Sequence, residues 1–547
     1  MNRIILLLLM IGFSSSKIFS QCTETSEPRV LIVGDSWAWF MYTESSLNFA
    51  LTKWGHSNYT QVSNSTLAVN GAQTPDVMKA TCEAEILHQL TINPTIDVVH
   101  LSIGGNDFLG NWNVSMTQGQ IDTLTAGVFA NLDSIIRFIQ SCKPGIKILW
   151  SGYTYTNFKQ IITDYGIQTG SQTSHPYYNT WSGMGFPDFI QINTLQNSIS
   201  AQFQTYCSTH PGVYFVDASG YMQYVYGQTT AMDVAPTGTY APYSVPLPHG
   251  DPNYPSPAVA MRNLLIATDC FHLSTDGFRE FLGYHTQKFY QKFLMDDLYL
   301  LSDSTQTGTV SSLGNVSDSL FIGESGGENF ATVLSFNTTM MADTTLKRAS
   351  IFLGRNSLAG TNPISGSIEV KVKSGSFGAT VNVEPADYAA TADATGNPCL
   401  FGSNANNGDW VRLDLPVSIL THINHSAITQ FIIDAPGVTG AKANFYNASD
   451  PDFAPVLNLA YGQTPSGINE ITTNEFSIYP NPSNGLLTIE NGAETITHIE
   501  VSNLLGAVVL NPQMQQHTID ISSLAQGMYI LNITTKNGRI SQKVVKE

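Results

Sequence analysis

Hydrophobic and polar positions divide the chain into segments of different periodicity. Between residues 26 and 300, four short apolar runs bounded by polar turns predict buried β-strands, at residues 30–33, 98–103, 146–150 and 213–216. Apolar residues at helical spacing lie between them, most clearly over residues 121–140 and 189–206. This alternation predicts an α/β domain over residues 26–300, with a parallel sheet covered by helices.

The pattern changes after residue 300. The polar stretch 301–314 predicts a linker, and residues 315–462 alternate short strand-like runs with Gly, Asn and Ser turns. Such a pattern is typical of a β-sandwich. Trp410, Phe445 and Tyr446 are candidates for exposed aromatic rings that stack on sugars; the alternative is that they belong to the core.

The first residues have the pattern of an export signal. Arg3 is followed by a short apolar stretch and then by three serines, which predicts a signal peptide over residues 1–20. The stretch is too short to span a bilayer, and no later segment reaches ~20 apolar residues. Six cysteines without metal-binding spacing are expected to form some disulfides in an exported chain.

Composition narrows the range of partners. Acidic residues outnumber basic ones, 42 to 24, for a formal net charge of −18, and the basic residues form no run. Such a surface repels phosphate-rich polymers, which argues against nucleic acid as a partner.

Two short motifs supply the groups needed for acyl transfer. Ser36 directly follows the first predicted strand in a Gly-Asp-Ser sequence, and Asp269 stands three residues before His272. A serine hydroxyl is a poor nucleophile until a base removes its proton, and histidine is the side chain best suited to that role. If Asp269 and His272 lie on a helical turn they share a face, so that the carboxylate can orient the imidazole. Taken alone, each motif also fits an ordinary turn or a surface pair.

Four blocks in order resemble those of GDSL-type esterases of the SGNH hydrolase family, over about residues 29–290. They are the Gly-Asp-Ser of Ser36, the glycine Gly71, the Gly-Gly-Asn-Asp of Asn106, and the Asp-x-x-His-Leu-Ser of His272. The resemblance implies a flavodoxin-like three-layer α/β/α domain and a catalytic triad of Ser36, His272 and Asp269. It also implies an oxyanion hole formed by the backbone N–H groups of Ser36 and Gly71 and the amide of Asn106, with no metal or cofactor required.

The end of the chain forms a third unit, over residues 475–547. Its Tyr-Pro-Asn-Pro at Tyr479, its Leu-x-x-Gly-x-Tyr at Tyr529 and its last Lys-Val-Val-Lys resemble the C-terminal sorting module of the type IX secretion system. The resemblance implies a small β-sandwich and recognition by the type IX secretion machinery. It further implies export from a Bacteroidetes-type bacterium, to a secreted or surface-attached location.

The combined features predict a secreted serine esterase that works through an acyl-enzyme. The region 315–462 resembles β-sandwich modules of secreted polysaccharide-active enzymes, so an ester on a polysaccharide side chain, such as acetyl, is the expected substrate. A lipase or lysophospholipase-type esterase is the first alternative. The second is a non-catalytic, glycan-binding surface adhesin on a degenerate hydrolase scaffold, against which the complete set of four blocks argues.

Overall fold

The computed structural model describes residues 26–227, 240–294, 298–339, 341, 346–402, 405–461, 477–490, 496–503, 508–512, 517–535 and 539–547. The expected signal peptide lies outside the described residues. The chain divides into two compact units, one ending at Tyr461 and one after it, and each is described by itself.

A parallel sheet of five strands, in the order β2-β1-β3-β4-β5, forms the centre of the α/β part. This strand order confirms the flavodoxin-like fold predicted from the sequence. The four predicted strands are present, whereas β2 was not predicted because it is a four-residue edge strand with no apolar run. The strands are β1 (Glu27–Gly34), β2 (Tyr59–Val62), β3 (Val98–Ser102), β4 (Lys147–Ser151) and β5 (Val213–Val216).

Helices cover both faces of this sheet. Successive residues of β1 face opposite sides, since Val30 and Ile32 belong to one apolar core and Leu31 and Val33 to another. The helices are α1 (Ser36–Thr43), α2 (Ser46–Lys53), α3 (Thr74–Val77), α4 (Ala80–Ile92), α5 (Gly105–Asn111), α6 (Gln118–Cys142), α7 (Phe158–Thr169), α8 (Tyr178–Gly183), α9 (Phe189–Thr209), α10 (Tyr221–Tyr226), α11 (Thr275–His285) and α12 (Gln291–Phe293). A π-helical turn, Thr286–Tyr290, joins the last two. A separate antiparallel hairpin of β6 (Met261–Asn263) and β7 (Thr268–Leu273) precedes α11.

Antiparallel strands make up the region from 298 to 461, in agreement with the predicted β-sandwich. The long strand β13 carries a register shift between Arg355 and Ser357; its first half pairs with β17 and β20, and its second half pairs with β19. A bulge of this kind lets one strand pass from one sheet to the other.

The elements of this region are β8 (Leu298–Leu301), β9 (Gly308–Ser311), β10 (Val316–Ser317), β11 (Leu320–Ser325), β12 (Glu328–Asn337), β13 (Leu346–Ala359), β14 (Glu369–Ser374), β15 (Ala394–Gly396), β16 (Cys399–Phe401), β17 (Trp410–Asp414), α13 (Val417–Leu420), β18 (Ile428–Asp434), β19 (Lys442–Phe445) and β20 (Val456–Tyr461).

The segment 301–314 differs from the predicted linker, because it is hydrogen-bonded into the β-sandwich. Leu301 pairs with Val456 in β20, and β9 lies within the segment. The polar residues between form a turn in which Asp303 Oδ1 accepts hydrogen bonds from the backbone N–H groups of Thr305 and Gln306, at 2.8 and 3.2 Å. The polar residues that suggested a linker therefore form the hydrogen bonds of an ordered turn.

The α/β part and the β-sandwich share an apolar contact within the first unit. The Trp54 ring, just after α2, stacks on Trp410 of β17 with ring centroids 5.2 Å apart, and on Phe453 at 5.8 Å. Trp410 and Phe445 are only 1% and 2% exposed. The expectation that these two aromatic rings are available to sugars is therefore wrong, and the alternative that they are core residues holds. Tyr446 is half-buried and stacks on Phe453.

The second unit is a small β-structure of two antiparallel sheets, β21-β22-β25 and β24-β23-β26-β27. The Asn481 side chain fixes the start of the unit to its last strand: Nδ2 donates to the Lys543 carbonyl at 2.7 Å, and Oδ1 accepts from the Val545 N–H at 2.8 Å. These contacts give the Tyr-Pro-Asn-Pro motif a structural role. The strands are β21 (Ser477–Tyr479), β22 (Leu486–Glu490), β23 (Ile496–Ser502), β24 (Val508–Leu510), β25 (Thr518–Asp520), β26 (Gly527–Thr535) and β27 (Arg539–Lys546).

Candidate active site

The candidate nucleophile lies at the carboxyl edge of the parallel sheet, where β1 turns into α1. Gly34 has a φ of +151°, and a Cβ at this position would lie 1.8 Å from the carbonyl oxygen of Ser102 in β3, so the turn requires glycine. Asp35 caps α1, since its Oδ1 accepts a hydrogen bond from the Trp37 N–H at 2.9 Å. Ser36 is therefore the first residue of the helix, at the sheet edge where ligands of such folds bind.

Ser36, His272 and Asp269 form a continuous chain of hydrogen bonds. His272 Nε2 lies 2.7 Å from Ser36 Oγ, and His272 Nδ1 lies 2.8 Å from Asp269 Oδ2. All three side chains are buried or nearly so, with exposed fractions of 6%, 7% and 0%. The structure thus brings together the three residues expected from the sequence, in the order of contacts that activates a nucleophile.

Asp269 and His272 lie on β7, and the expected helical turn is absent at this point. The two residues meet because Asp269 folds back on its own strand: its Oδ1 accepts hydrogen bonds from the N–H groups of Phe271 and His272, each at 2.9 Å. The sequence spacing was therefore correct, but the local structure inferred from it was wrong.

Tyr177 adds a fourth hydrogen bond to the buried carboxylate. Its hydroxyl donates to Asp269 Oδ2 at 3.1 Å. Burial acts to raise the pKa of Asp269, but the hydrogen bond and electrostatic attraction of His272, together with the two backbone N–H groups, hold that pKa below its ordinary value. The carboxylate is thus ionised at neutral pH. Tyr177 precedes α8, and no spacing in the sequence marks it as part of the site.

The loop that carries Gly71 and the first turn of α5, which carries Asn106, meet beside the nucleophile turn. The Val69 N–H donates to the Gly34 carbonyl at 2.9 Å, which fixes the Gly71 loop to the end of β1. Asn106 Nδ2 donates to the carbonyl of Ala72 at 3.0 Å. Gly71 has a φ of +77° and open space where its Cβ would stand. The residues expected to form the oxyanion hole are therefore gathered around Ser36.

A second carboxylate lies behind the nucleophile. Asp35 is 1% exposed, and its Oδ2 accepts a hydrogen bond from the Tyr153 hydroxyl at 2.6 Å and a long one from Asn106 Nδ2 at 3.5 Å. Tyr153 in turn accepts a hydrogen bond from the Gly105 N–H at 3.1 Å. Burial raises the pKa of Asp35 to about 6, against the opposing effect of these hydrogen bonds. Nothing in the sequence marks Asp35 beyond its place in the Gly-Asp-Ser motif.

A cavity of about 940 Å³, counted with its opening to solvent, has Ser36 and Asn106 among its lining residues. It passes between α5, α6, β4 and α9, and its wall is mostly apolar. The long segment 153–267 contributes to this wall mainly through α9. None of the described residues of the Pro-rich and Tyr-rich stretch 240–249 lines the cavity. Among the lining side chains are Phe108, Leu109, Trp112, Val128, Trp150, Leu195, Ile199 and Phe203.

With this geometry in place, comparison with known protein families is informative. Residues 32–278 match the family described as GDSL-like Lipase/Acylhydrolase, and all the triad and oxyanion candidates fall within the match. This part of the chain is a GDSL-like lipase/acylhydrolase domain. Residues 477–547 match the Secretion system C-terminal sorting domain, which confirms the type IX module predicted from the sequence and indicates export.

Among curated proteins, the chain is similar to beta-agarase D of Zobellia galactanivorans, with 27% identity over 169 residues. The match covers 30% of this chain, and the chain spans only 29% of that relative.

Solved structures similar to the GDSL-like part include a GDSL-like lipase from Bacteroides thetaiotaomicron, at 12% identity and a TM-score of 0.26, covering 50% of this chain and 92% of that one. A carbohydrate esterase family 3 structure from Talaromyces cellulolyticus has 13% identity and a TM-score of 0.27, covering 48% and 96%.

Within the described ranges, no three His, Cys, Asp or Glu side chains are grouped so that they could hold a metal ion. No helix in the part of the chain that the structure describes has the length and apolar character needed to cross a bilayer. Cys82, Cys142, Cys207 and Cys270 are free thiols, and Cys399 is disulfide-bonded.

Proposed function

We propose that the GDSL-like domain hydrolyses carboxylic esters through a covalent acyl-enzyme on Ser36. The observation that carries this proposal is the hydrogen-bonded chain from Ser36 Oγ through His272 to the ionised Asp269. A chain of this kind gives a serine oxygen the base it lacks at neutral pH, and holds that base in one tautomer and orientation.

In the proposed reaction, Ser36 Oγ attacks the ester carbonyl carbon while its proton passes to His272 Nε2. The tetrahedral intermediate collapses, the bond to the alcohol oxygen breaks, and that oxygen takes the proton from His272. Water then attacks the acyl-enzyme and gives a proton to the same nitrogen, which returns it to Ser36 as the acid leaves. Asp269 stabilises the imidazolium in both halves.

The negative charge that develops on the carbonyl oxygen needs preorganised donors. We assign this role to the backbone N–H groups of Ser36 and Gly71 and to Asn106 Nδ2. The first lies at a helix N-terminus, where N–H groups lack intrahelical partners. The amide of Asn106 is held by its contact with Ala72. Loss of one such donor typically costs ~10²–10³ in rate.

We further propose that the alcohol part of the substrate belongs to a polysaccharide, as the sequence analysis expected. Two observations support it: the sorting domain, which indicates export, and the partial match to a beta-agarase. Fold by itself does not determine substrate.

The test is hydrolysis of p-nitrophenyl esters by the full-length protein and by its Ser36→Ala variant. We expect kcat to fall by about 10³-fold or more, because the nucleophile is lost. Ser198→Ala, at an exposed position of α9, is the matched control and should retain activity. A fluorophosphonate should also phosphonylate Ser36, with loss of fluoride, so that the phosphonyl group adds to the mass of the Ser36 peptide of the wild type alone. Equal rates in wild type and Ser36→Ala, with no labelling, would overturn the proposal in favour of the glycan-binding adhesin.

A further inference from the structure

We propose that Tyr153 is a positioning residue of the oxyanion hole, because its hydroxyl ties the nucleophile turn to the first turn of α5. The inference rests on the proposed esterase function, in which Ser36 and Asn106 supply donors to the oxyanion. Tyr153 belongs to neither of the motifs that carry those two residues, since it follows β4 at a different point of the chain.

The Tyr153 hydroxyl makes one hydrogen bond to each of the two turns. It donates to Asp35 Oδ2 at 2.6 Å and accepts from the Gly105 N–H at 3.1 Å. Asp35 directly precedes Ser36 in the chain. Gly105 directly precedes Asn106. Burial, together with the neighbouring Asp35 carboxylate, raises the pKa of Tyr153 well above its ordinary value, so the hydroxyl keeps its proton and remains the donor.

Two packing contacts hold the Tyr153 ring in place. A Cβ at Gly105 would lie 2.8 Å from Cζ of this ring, so the ring occupies the space that a side chain at position 105 would need. The ring also meets Trp37 of α1 edge to face, with centroids 5.0 Å apart. Because a ring packed in this way has little freedom to move, its hydroxyl holds the two turns at a fixed separation.

Tyr153 also limits what the Asn106 amide can bind. Asn106 Nδ2 carries two hydrogens, of which one is donated to the Ala72 carbonyl at 3.0 Å. Asp35 Oδ2 lies 3.5 Å from the same nitrogen, at the long limit of a hydrogen bond. The Tyr153 hydroxyl occupies this carboxylate oxygen at the shorter distance of 2.6 Å. The second hydrogen of the Asn106 amide therefore remains available to the oxyanion.

Loss of the hydroxyl should weaken binding of the transition state more than binding of the substrate. Without it, Asp35 Oδ2 is left to attract Asn106 Nδ2, which draws this donor away from the place where negative charge develops. Misplacement of a catalytic group by ~1 Å can cost about 10²-fold in rate. We therefore expect Tyr153→Phe to lower kcat by about 10- to 100-fold, with KM changed by less than about twofold.

The first measurement is steady-state hydrolysis of p-nitrophenyl acetate by the full-length protein and its Tyr153→Phe and Tyr155→Phe variants. Tyr155→Phe is the matched control, since it removes a buried tyrosine hydroxyl that bonds to the Asn197 side chain. It should keep kcat within about twofold of the wild type.

A wild-type kcat in Tyr153→Phe, or an equal loss of kcat in both variants, would overturn the positioning role. In an enzyme whose activity depends on Ser36, either result leaves the esterase proposal intact. Activity that does not depend on Ser36 would overturn both proposals.

A double-mutant cycle tests whether Tyr153 acts through Asn106. Asn106→Ala should lower kcat by ~10²–10³-fold, and adding Tyr153→Phe should then cost less than about twofold more, because the donor that the hydroxyl positions is already absent. Losses that multiply in the double variant would mean that Tyr153 acts on another group, which overturns the proposal. Far-UV circular dichroism shows whether each variant is folded. If Asn106→Ala does not fold, the comparison of Tyr153→Phe with Tyr155→Phe decides the proposal.

Discussion

The contact between the two parts of the first unit predicts that the GDSL-like domain depends on the β-sandwich for its stability. Trp410 belongs to the sandwich and is 1% exposed. Its ring stacks on Trp54, with centroids 5.2 Å apart, and lies against Phe453, with centroids 6.0 Å apart. Arg412 adds a polar contact across the same boundary, because its Nη2 donates to Asn58 Oδ1 at 3.1 Å. Replacement of Trp410 by alanine removes the central ring of this cluster and leaves a cavity between the two parts.

We expect Trp410→Ala to lower the free energy of unfolding by about 3–5 kcal/mol, the usual range for a buried aromatic side chain truncated to alanine. Because the ring contacts both parts, the hydrolase should lose structure together with the sandwich. The assay is urea denaturation of the full-length protein, with far-UV circular dichroism and ester hydrolysis measured on the same samples. Both midpoints should move to lower urea by the same amount.

The matched control is Leu313→Ala, which shortens a side chain of the sandwich that is 72% exposed and should leave both midpoints in place. A Trp410→Ala protein whose activity midpoint stays at the wild-type value, while the circular dichroism midpoint falls, would show that the hydrolase part folds without the sandwich. That result would refute the reasoning from the shared core.

Two further predictions concern the buried carboxylates. Tyr177→Phe removes one hydrogen bond to Asp269 and should lower kcat by about tenfold with KM unchanged, as steady-state kinetics on one ester would show; a wild-type kcat would count against a positioning role. For Asp35, the folded-state pKa of about 6 lies above its ordinary value of 3.8, so the folded protein binds the proton more tightly. The stability that this carboxyl contributes is complete below pH 4 and is lost as pH rises to about 6, by about 3 kcal/mol. Asp35→Asn should remove this loss of stability. The free energies of unfolding of the wild type and the variant are compared at pH 4 and at pH 7. A difference between the two proteins that is the same at both pH values would contradict the prediction.

The catalytic groups of the site could be predicted from the sequence because the reaction needs specific side chains, and short motifs mark their positions. A hydroxyl, an imidazole and a carboxylate have few substitutes, and Ser36 directly follows a strand of a parallel sheet. Features that depend on tertiary packing could not be predicted in this way. Trp410 is of a residue type that often stacks on sugars, but it is a buried core residue. The polar residues after Leu301 are typical of a linker, but they form an ordered turn. Tyr177 reaches Asp269 across 92 positions of sequence, and no local pattern records that contact.

The apolar cavity beside Ser36 is the clearest case of this limit. Its wall is assembled from α5, α6, β4 and α9, which are far apart in the chain, and almost any apolar side chain at those positions would serve. Neighbouring modules suggested an acetyl ester, because export and a β-sandwich point to polysaccharide. The β-sandwich and the sorting domain, however, concern only the alcohol part of the ester and the location of the protein. The acyl part would be selected by side chains inside the GDSL-like domain. The reacting groups could therefore be predicted from short motifs, whereas the group that the cavity accepts depends on side chains that only the fold brings together.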